Sequence, residues 1–255
     1  MPEMKAAFLL VAVAATGAAL WFSGVFSPAA RHLLITESTA SPMGNGAAAV
    51  LTIDNQGAPD QLVAVSSPTA TVMLHGAEAG LPIQTGTSSL ATDAAHIMIR
   101  SDTPFEDGAL IPVTLTFANA GDTSVNIRYA TPNPDSMAAH SAMGHGTMQH
   151  DVGDGPQPTV SLSVERVENG WLAQIETTNF TFSEAMQDGD HVDGTGHGHI
   201  YLGGMKLGRV FTNSYSIGAL PSGQHILRVS LNTNDHRAYA VDGTPVEAET
   251  IITVD

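Results

Sequence analysis

"LIPVTLTFANAGDTSVNIRYA", residues 110–130, holds two apolar runs rich in β-branched residues on either side of Gly121-Asp122. Short runs of this kind, bounded by turn residues, read as strands joined by a turn. The same grammar extends in both directions. Upstream lie "HLLITEST" (32–39), "AAAVLTIDN" (47–55), "QLVAVSS" (61–67), "TVMLHG" (71–76) and "AAHIMIR" (94–100), punctuated by Asn55-Gln56-Gly57, Gly76 and Gly80. Downstream, Thr131-Pro132-Asn133-Pro134-Asp135 breaks the chain, and strands resume with "TVSLSVERV" (159–167) and "GWLAQIETT" (170–178). "GHIYLGGMKLGRVF" (198–211), "HILRVSLNT" (225–233) and "ETIITV" (249–254) complete the series, with Gly203-Gly204 placed as a hairpin turn. No segment after residue 30 sustains a 3.6-residue period, so the expected class is all-β, a barrel or sandwich in each half. The expected organisation is an N-terminal apolar segment (1–30), a first β-domain (31–131), a flexible linker (132–157) and a second β-sandwich domain (158–255).

Composition narrows the setting. The 255 residues include 25 acidic against 9 basic ones, a net charge of -16, and no cysteine. So acidic a chain is not expected to bind nucleic acid, whose phosphates require a basic face. Without cysteine, a soft metal must be held by thioether and imidazole. Lys5 precedes an uncharged run, Ala6 to Phe26. That pattern reads as an export signal or as a membrane anchor, and in either case the remainder is expected to be periplasmic or otherwise extracytoplasmic.

Residues two apart on a strand share a face. Met73 and His75 therefore pair on one strand, and His96 and Met98 on another. Two thioethers and two imidazoles suit copper, Cu(I) above all, better than zinc or magnesium. The segment "SMAAHSAMGHGTMQHD" (136–151) adds Met137, His140, Met143, His145, Met148 and His150 in a Gly- and Ser-bearing tract without strand or helix periodicity. It is expected to be a mobile, Cu(I)-binding arm. A third set, His191, His197 and His199 with Asp193, joined by His236 farther on, suits Cu(II), Cu(I) or zinc. Gly194, Gly196 and Gly198 are expected to let that loop wrap an ion, whereas His225 reads as structural or surface.

Residues 32–130 resemble the PCuAC family of periplasmic copper chaperones. The stretches "AAAVLTIDNQGAPDQLVAVSSPTATVMLHG", "AAHIMI" and "FEDGALIPVTLTFANAG" carry the resemblance. It implies a cupredoxin-like Greek-key barrel, a copper site that includes His75, His96 and Met98, and delivery to an apo-cuproenzyme such as a cytochrome oxidase subunit. The family also supplies a methionine between its two histidines, but here "GAEAGLPIQTGTSSLATDAA" (76–95) contains none. Met73, Met43 or a linker methionine are the candidate replacements. The second domain resembles β-domains found with bacterial envelope copper-handling proteins. No phosphate-binding glycine loop, Gly-x-Ser-x-Gly or His-Glu-x-x-His motif occurs. A copper enzyme chelating through His32 would need cleavage directly after Arg31. No enzymatic activity is expected. The competing expectation is a periplasmic buffer that sequesters copper or zinc without a client.

Overall fold

The computed structural model describes residues 32–77, 80–131 and 148–255. The apolar segment 1–30 and most of the Met/His tract, including Met137, His140, Met143 and His145, lie outside the described residues. Among the described residues, no helix is long and apolar enough to cross a membrane.

The fold is all-β, as the alternation implies. The first domain contains β1 (Leu33–Met43), β2 (Gly46–Asn55), β3 (Asp60–Ser66), β4 (Thr71–His75), β5 (Leu81–Ile83), β6 (Gly86–Leu90), β7 (His96–Arg100), β8 (Leu110–Phe117) and β9 (Gly121–Tyr129). The quoted hairpin forms with Phe117 opposite Gly121 and Leu110 opposite Arg128. Strand β2 pairs with β1 on one side and with β6 and β7 on the other, and β1 meets β9 in parallel. The rolled sheet encloses Leu51, Ile53, Leu62, Ile97, Ile99, Leu115 and Ile127, all at most 1% exposed. Burying an aliphatic side chain of this size stabilises by about 1.5–3 kcal/mol each before entropy is counted. The stretch 76–95, where the resemblance leads one to expect a loop, instead carries β5 and β6.

The second domain contains β10 (Gln149–Asp151), β11 (Thr159–Val167), β12 (Gly170–Thr178), β13 (Thr181–Phe182), β14 (Thr195–Leu202), β15 (Met205–Val210), β16 (Ser214–Ile217), β17 (Gly223–Asn232), β18 (Ala238–Val241), β19 (Thr244–Pro245) and β20 (Glu247–Val254). The order β11–β12–β16 makes one sheet. It faces a second sheet in which β14 lies between β15 and β17, and β17 pairs with β20. Ala173, Ile175, Ile200, Leu202, Leu227 and Val229 fill the space between them. Strand β10 falls inside the expected linker. It runs parallel to β18, with His150 opposite Tyr239. Three residues are too few to show an alternation, so the linker pattern hid this strand.

The β14–β15 hairpin couples the two domains. Gly203 and Gly204 turn it with φ of 53° and 94°, values that a side chain resists. A Cβ on Gly204 would also stand 2.9 Å from the Gly76 carbonyl oxygen. The tip thus packs on the first domain, where the Ala95 N–H donates to Gly204 O at 2.8 Å. Met205, next in the chain, is fully buried in the core of the first domain. Nearby, the Thr85 N–H donates to Ala219 O at 2.9 Å and the Gly218 N–H to Gln84 Oε1 at 2.8 Å.

Candidate metal centres

On β4, Val72 and Leu74 pack inward, and on β7, Ile97 and Ile99 do the same. Alternation therefore sends Met73, His75, His96 and Met98 to the outer face. The antiparallel register places Met73 opposite Met98 and His75 opposite His96. Opposite residues in such a pair have Cβ atoms about 4.5–5.5 Å apart on the same side of the sheet. The His75 and His96 ring centroids are 4.9 Å apart. His96 is buried, and its Nδ1 lies 3.0 Å from the Ala94 carbonyl oxygen. A carbonyl only accepts, so Nδ1 carries the proton and Nε2 presents its lone pair. Burial, opposed by that hydrogen bond, lowers the His96 pKa and favours the neutral ring that a metal needs. Met73 is 51% exposed.

This face opens into a cleft of about 1270 Å³ that also receives Met43, Met148, His199 and His236. Met43 and Met148 are thus within the same cavity as the four-residue face. Met148 immediately follows the undescribed part of the Met/His tract.

The expected single histidine loop resolves into two groups. His197, His199 and His236 each offer a nitrogen, all within 4.8 Å of one another. His191 instead joins His150 and Asp193 in a group of the same dimension. The His150 and His191 ring centroids are 4.1 Å apart, and His191 Nε2 is 2.9 Å from Asp193 Oδ1. Arg237 Nη1 lies 3.3 Å from His150 Nδ1, which keeps a positive charge beside that second group. Of the three glycines, Gly194 sits in the turn before β14 with φ of 67°, and the other two are strand residues. Gly196 and Gly198 lie in β14, and a Cβ on Gly196 would fall 1.9 Å from the Asn232 carbonyl oxygen. Their role is close approach of strands. His225 is structural, with Nε2 donating to Pro221 O at 2.7 Å.

His197 and His199 are nearly sealed, at 0% and 4% exposure. Burial first, then the neighbouring imidazoles, drives His197 down to a pKa of about 3. Burial likewise lowers His199 to about 4, against the opposing pull of the Asp93 carboxylate, which favours the protonated ring. Asp93 lies on the first domain, in the stretch where a methionine was expected. Its Oδ2 accepts from Lys206 Nζ at 2.7 Å and from the Tyr201 hydroxyl at 3.0 Å, and it stands 3.2 Å from His199 Nδ1. Burial alone would raise the Asp93 pKa, but the bonds from His199 and Lys206 win and hold it below the carboxylate range. On the other side, Asp188 accepts from His236 Nε2, which with Gln187 brings the acid down to about 2. Sequence reading missed Asp93, Asp188, Tyr201 and Lys206.

Residues 25–129 match the family model described as putative lipoprotein LpqE-like. Among solved structures, the chain is similar to several PCuAC domains. The copper-bound PCuAC domain from PmoF2 is 19% identical, covers 40% of this chain and 94% of its own, with a TM-score of 0.36. The apo PCuAC domain from PmoF1 is 24% identical over 40% of this chain and 95% of its own, with a TM-score of 0.37. A Cu(I)-bound protein from Deinococcus radiodurans is 24% identical over 42% of this chain and 84% of its own, with a TM-score of 0.29. No curated protein matches the chain.

Proposed function

We propose that this protein is an exported copper carrier that binds Cu(I) on the Met73, His75, His96, Met98 face and releases it by ligand exchange. One observation carries the reading: the β4–β7 register sets thioether opposite thioether and imidazole opposite imidazole on an outward face. Thioether and neutral imidazole are ligands that Cu(I) accepts and that bind it less firmly than thiolate. A client with better ligands can therefore take the ion. Met73, on the same face, takes the place of the missing loop methionine. Met43 and Met148 border the same cleft and supply ligands to an ion in transit. The tract 136–151 feeds this cleft, and the second domain holds a second copper ion. The family's description as a lipoprotein supports placement outside the cytoplasm. The chain has no cysteine to carry a lipid, so an anchor would use residues 6–26. The role is binding and delivery to an apo-cuproenzyme, such as an oxidase subunit, and not catalysis.

The test is Cu(I) competition titration followed by mixing with an apo copper-centre domain. Carriage predicts loss of binding in His75→Ala/His96→Ala and directional transfer from the wild-type chain. Tight binding without transfer would indicate a copper buffer.

A further inference from the structure

The three-imidazole cluster of the second domain has orienting groups that a solvated histidine face does not need, and one of them belongs to the first domain. His197 Nε2 and His199 Nε2 are 3.0 Å apart. Tetrahedral ligation with bonds of about 2.0–2.1 Å sets neighbouring nitrogens roughly 3.3 Å apart. The two rings thus already stand near the spacing an ion imposes. With no ion, one Nε2–H must donate to the other ring. His197 Nδ1 is then buried without a partner among the described residues, an arrangement that costs stability.

The third ring is held in readiness. Asp188 accepts the Nε2–H of His236, which leaves Nδ1 as the free lone pair. His236 also has a φ of 67°, in the left-handed region that non-glycine residues avoid. His199 has three polar groups around its Nδ1: the Asp93 carboxylate, the Tyr201 hydroxyl and Lys206 Nζ, each at 3.2 Å. Its Nε2 faces His197. Carboxylates behind two of three imidazoles match the outer layer that fixes ring tautomers in metal sites.

We propose that His197, His199 and His236 form a three-imidazole centre for a divalent ion, Cu(II) or Zn(II), with Asp93 of the first domain as its positioning residue, so that filling the centre ties the two domains together. An all-nitrogen set lacks the thioethers that favour Cu(I). The centre borders the cleft through His199 and His236, which leaves a fourth position for water or an incoming ligand. Lys206 is the opposing charge, 3.2 Å from His199 Nδ1, and its ion pair with Asp93 absorbs part of that opposition. The inference rests on the second domain being a copper-holding unit but uses none of the ligands of the Cu(I) face.

The experiment loads the full chain with one equivalent of Cu(II) and records its electron paramagnetic resonance. The expected spectrum is axial with nitrogen superhyperfine structure. It should change in His236→Ala, a partly exposed position whose loss spares the core. Asp93→Asn should weaken Cu(II) roughly 10- to 100-fold, and Asp93→Glu should recover part of that loss. Cu(II) should also slow hydrogen exchange at the Thr85 and Ala95 amides, which bond across the interface, in the wild type but not in Asp93→Asn. A spectrum unchanged by His236→Ala overturns the centre. Wild-type affinity and protection in Asp93→Asn overturn the coupling. The Cu(I) face is read separately, because His75→Ala/His96→Ala should abolish Cu(I) binding there and leave the Cu(II) spectrum intact.

Discussion

On the first domain, Met73 and His75 stand exposed on the outside of a barrel, opposite Met98 and His96. On the second, His197 and His199 are buried in β14, and carboxylates stand beside His199 and His236. Both sets border one cleft. The open set has mixed soft ligands and little outer support, which suits an ion that must leave. The closed set has one ligand type, two buried rings and carboxylates close by, which suits an ion that stays. The difference lies less in the histidines than in what stands behind them.

The largest effect should break the open half. His75→Ala/His96→Ala should reduce Cu(I) affinity of the first domain face by at least about 100-fold, since direct ligands matter no less than the outer groups that orient them. Competition with a chromophoric Cu(I) chelator reads this. Next comes the join between the halves. Met205→Ala removes a fully buried side chain from the first-domain core and should cost about 2–5 kcal/mol. Denaturant unfolding should show the loss, and the cleft ligands should then act as independent sites.

The closed half should announce itself through pH. Burial lowers His197 to about 3 and His199 to about 4, while the unfolded rings titrate near 6.5. Lowered folded values mean that the unfolded chain takes up protons first as pH falls. The metal-free protein should hold its full share of this stability above about pH 6.5 and lose it progressively toward pH 4, by about 2 kcal/mol per ring at pH 5. Thermal melts of the wild type against His197→Gln should show a shallower decline in the variant. An equal slope in both would contradict neutral burial. The smallest effect is expected from Met73→Leu, which keeps volume and removes one thioether. Cu(I) binding should weaken about tenfold while the melting temperature stays within about 2 °C, the exposed position having little core to disturb.

Much of the open half was legible in the sequence. Period-two spacing put Met73 with His75 and His96 with Met98, and the structure added only that the pairs face each other. The Gly203-Gly204 turn was equally plain, because two adjacent positive φ values call for glycine. The closed half was less legible. His-x-His spacing marked His197 and His199, but Asp93 reaches His199 only through domain packing, and no local pattern records a contact so distant in the chain. The glycines beside these histidines looked like a flexible loop, because a glycine that admits a neighbouring strand and one that permits mobility read alike. His150 was read as part of the linker since its strand is three residues long. There it meets His191 and splits a histidine set that sequence spacing had pooled.

X-ray absorption of the Cu(I)-loaded chain tests the central claim most directly. The tract's own ligands should first be removed with Met137→Ser, His140→Ser, Met143→Ser and His145→Ser. The expected result is a first shell of mixed sulfur and nitrogen that disappears in His75→Ala/His96→Ala. A shell of nitrogen alone, or one unchanged by that double substitution, would contradict it.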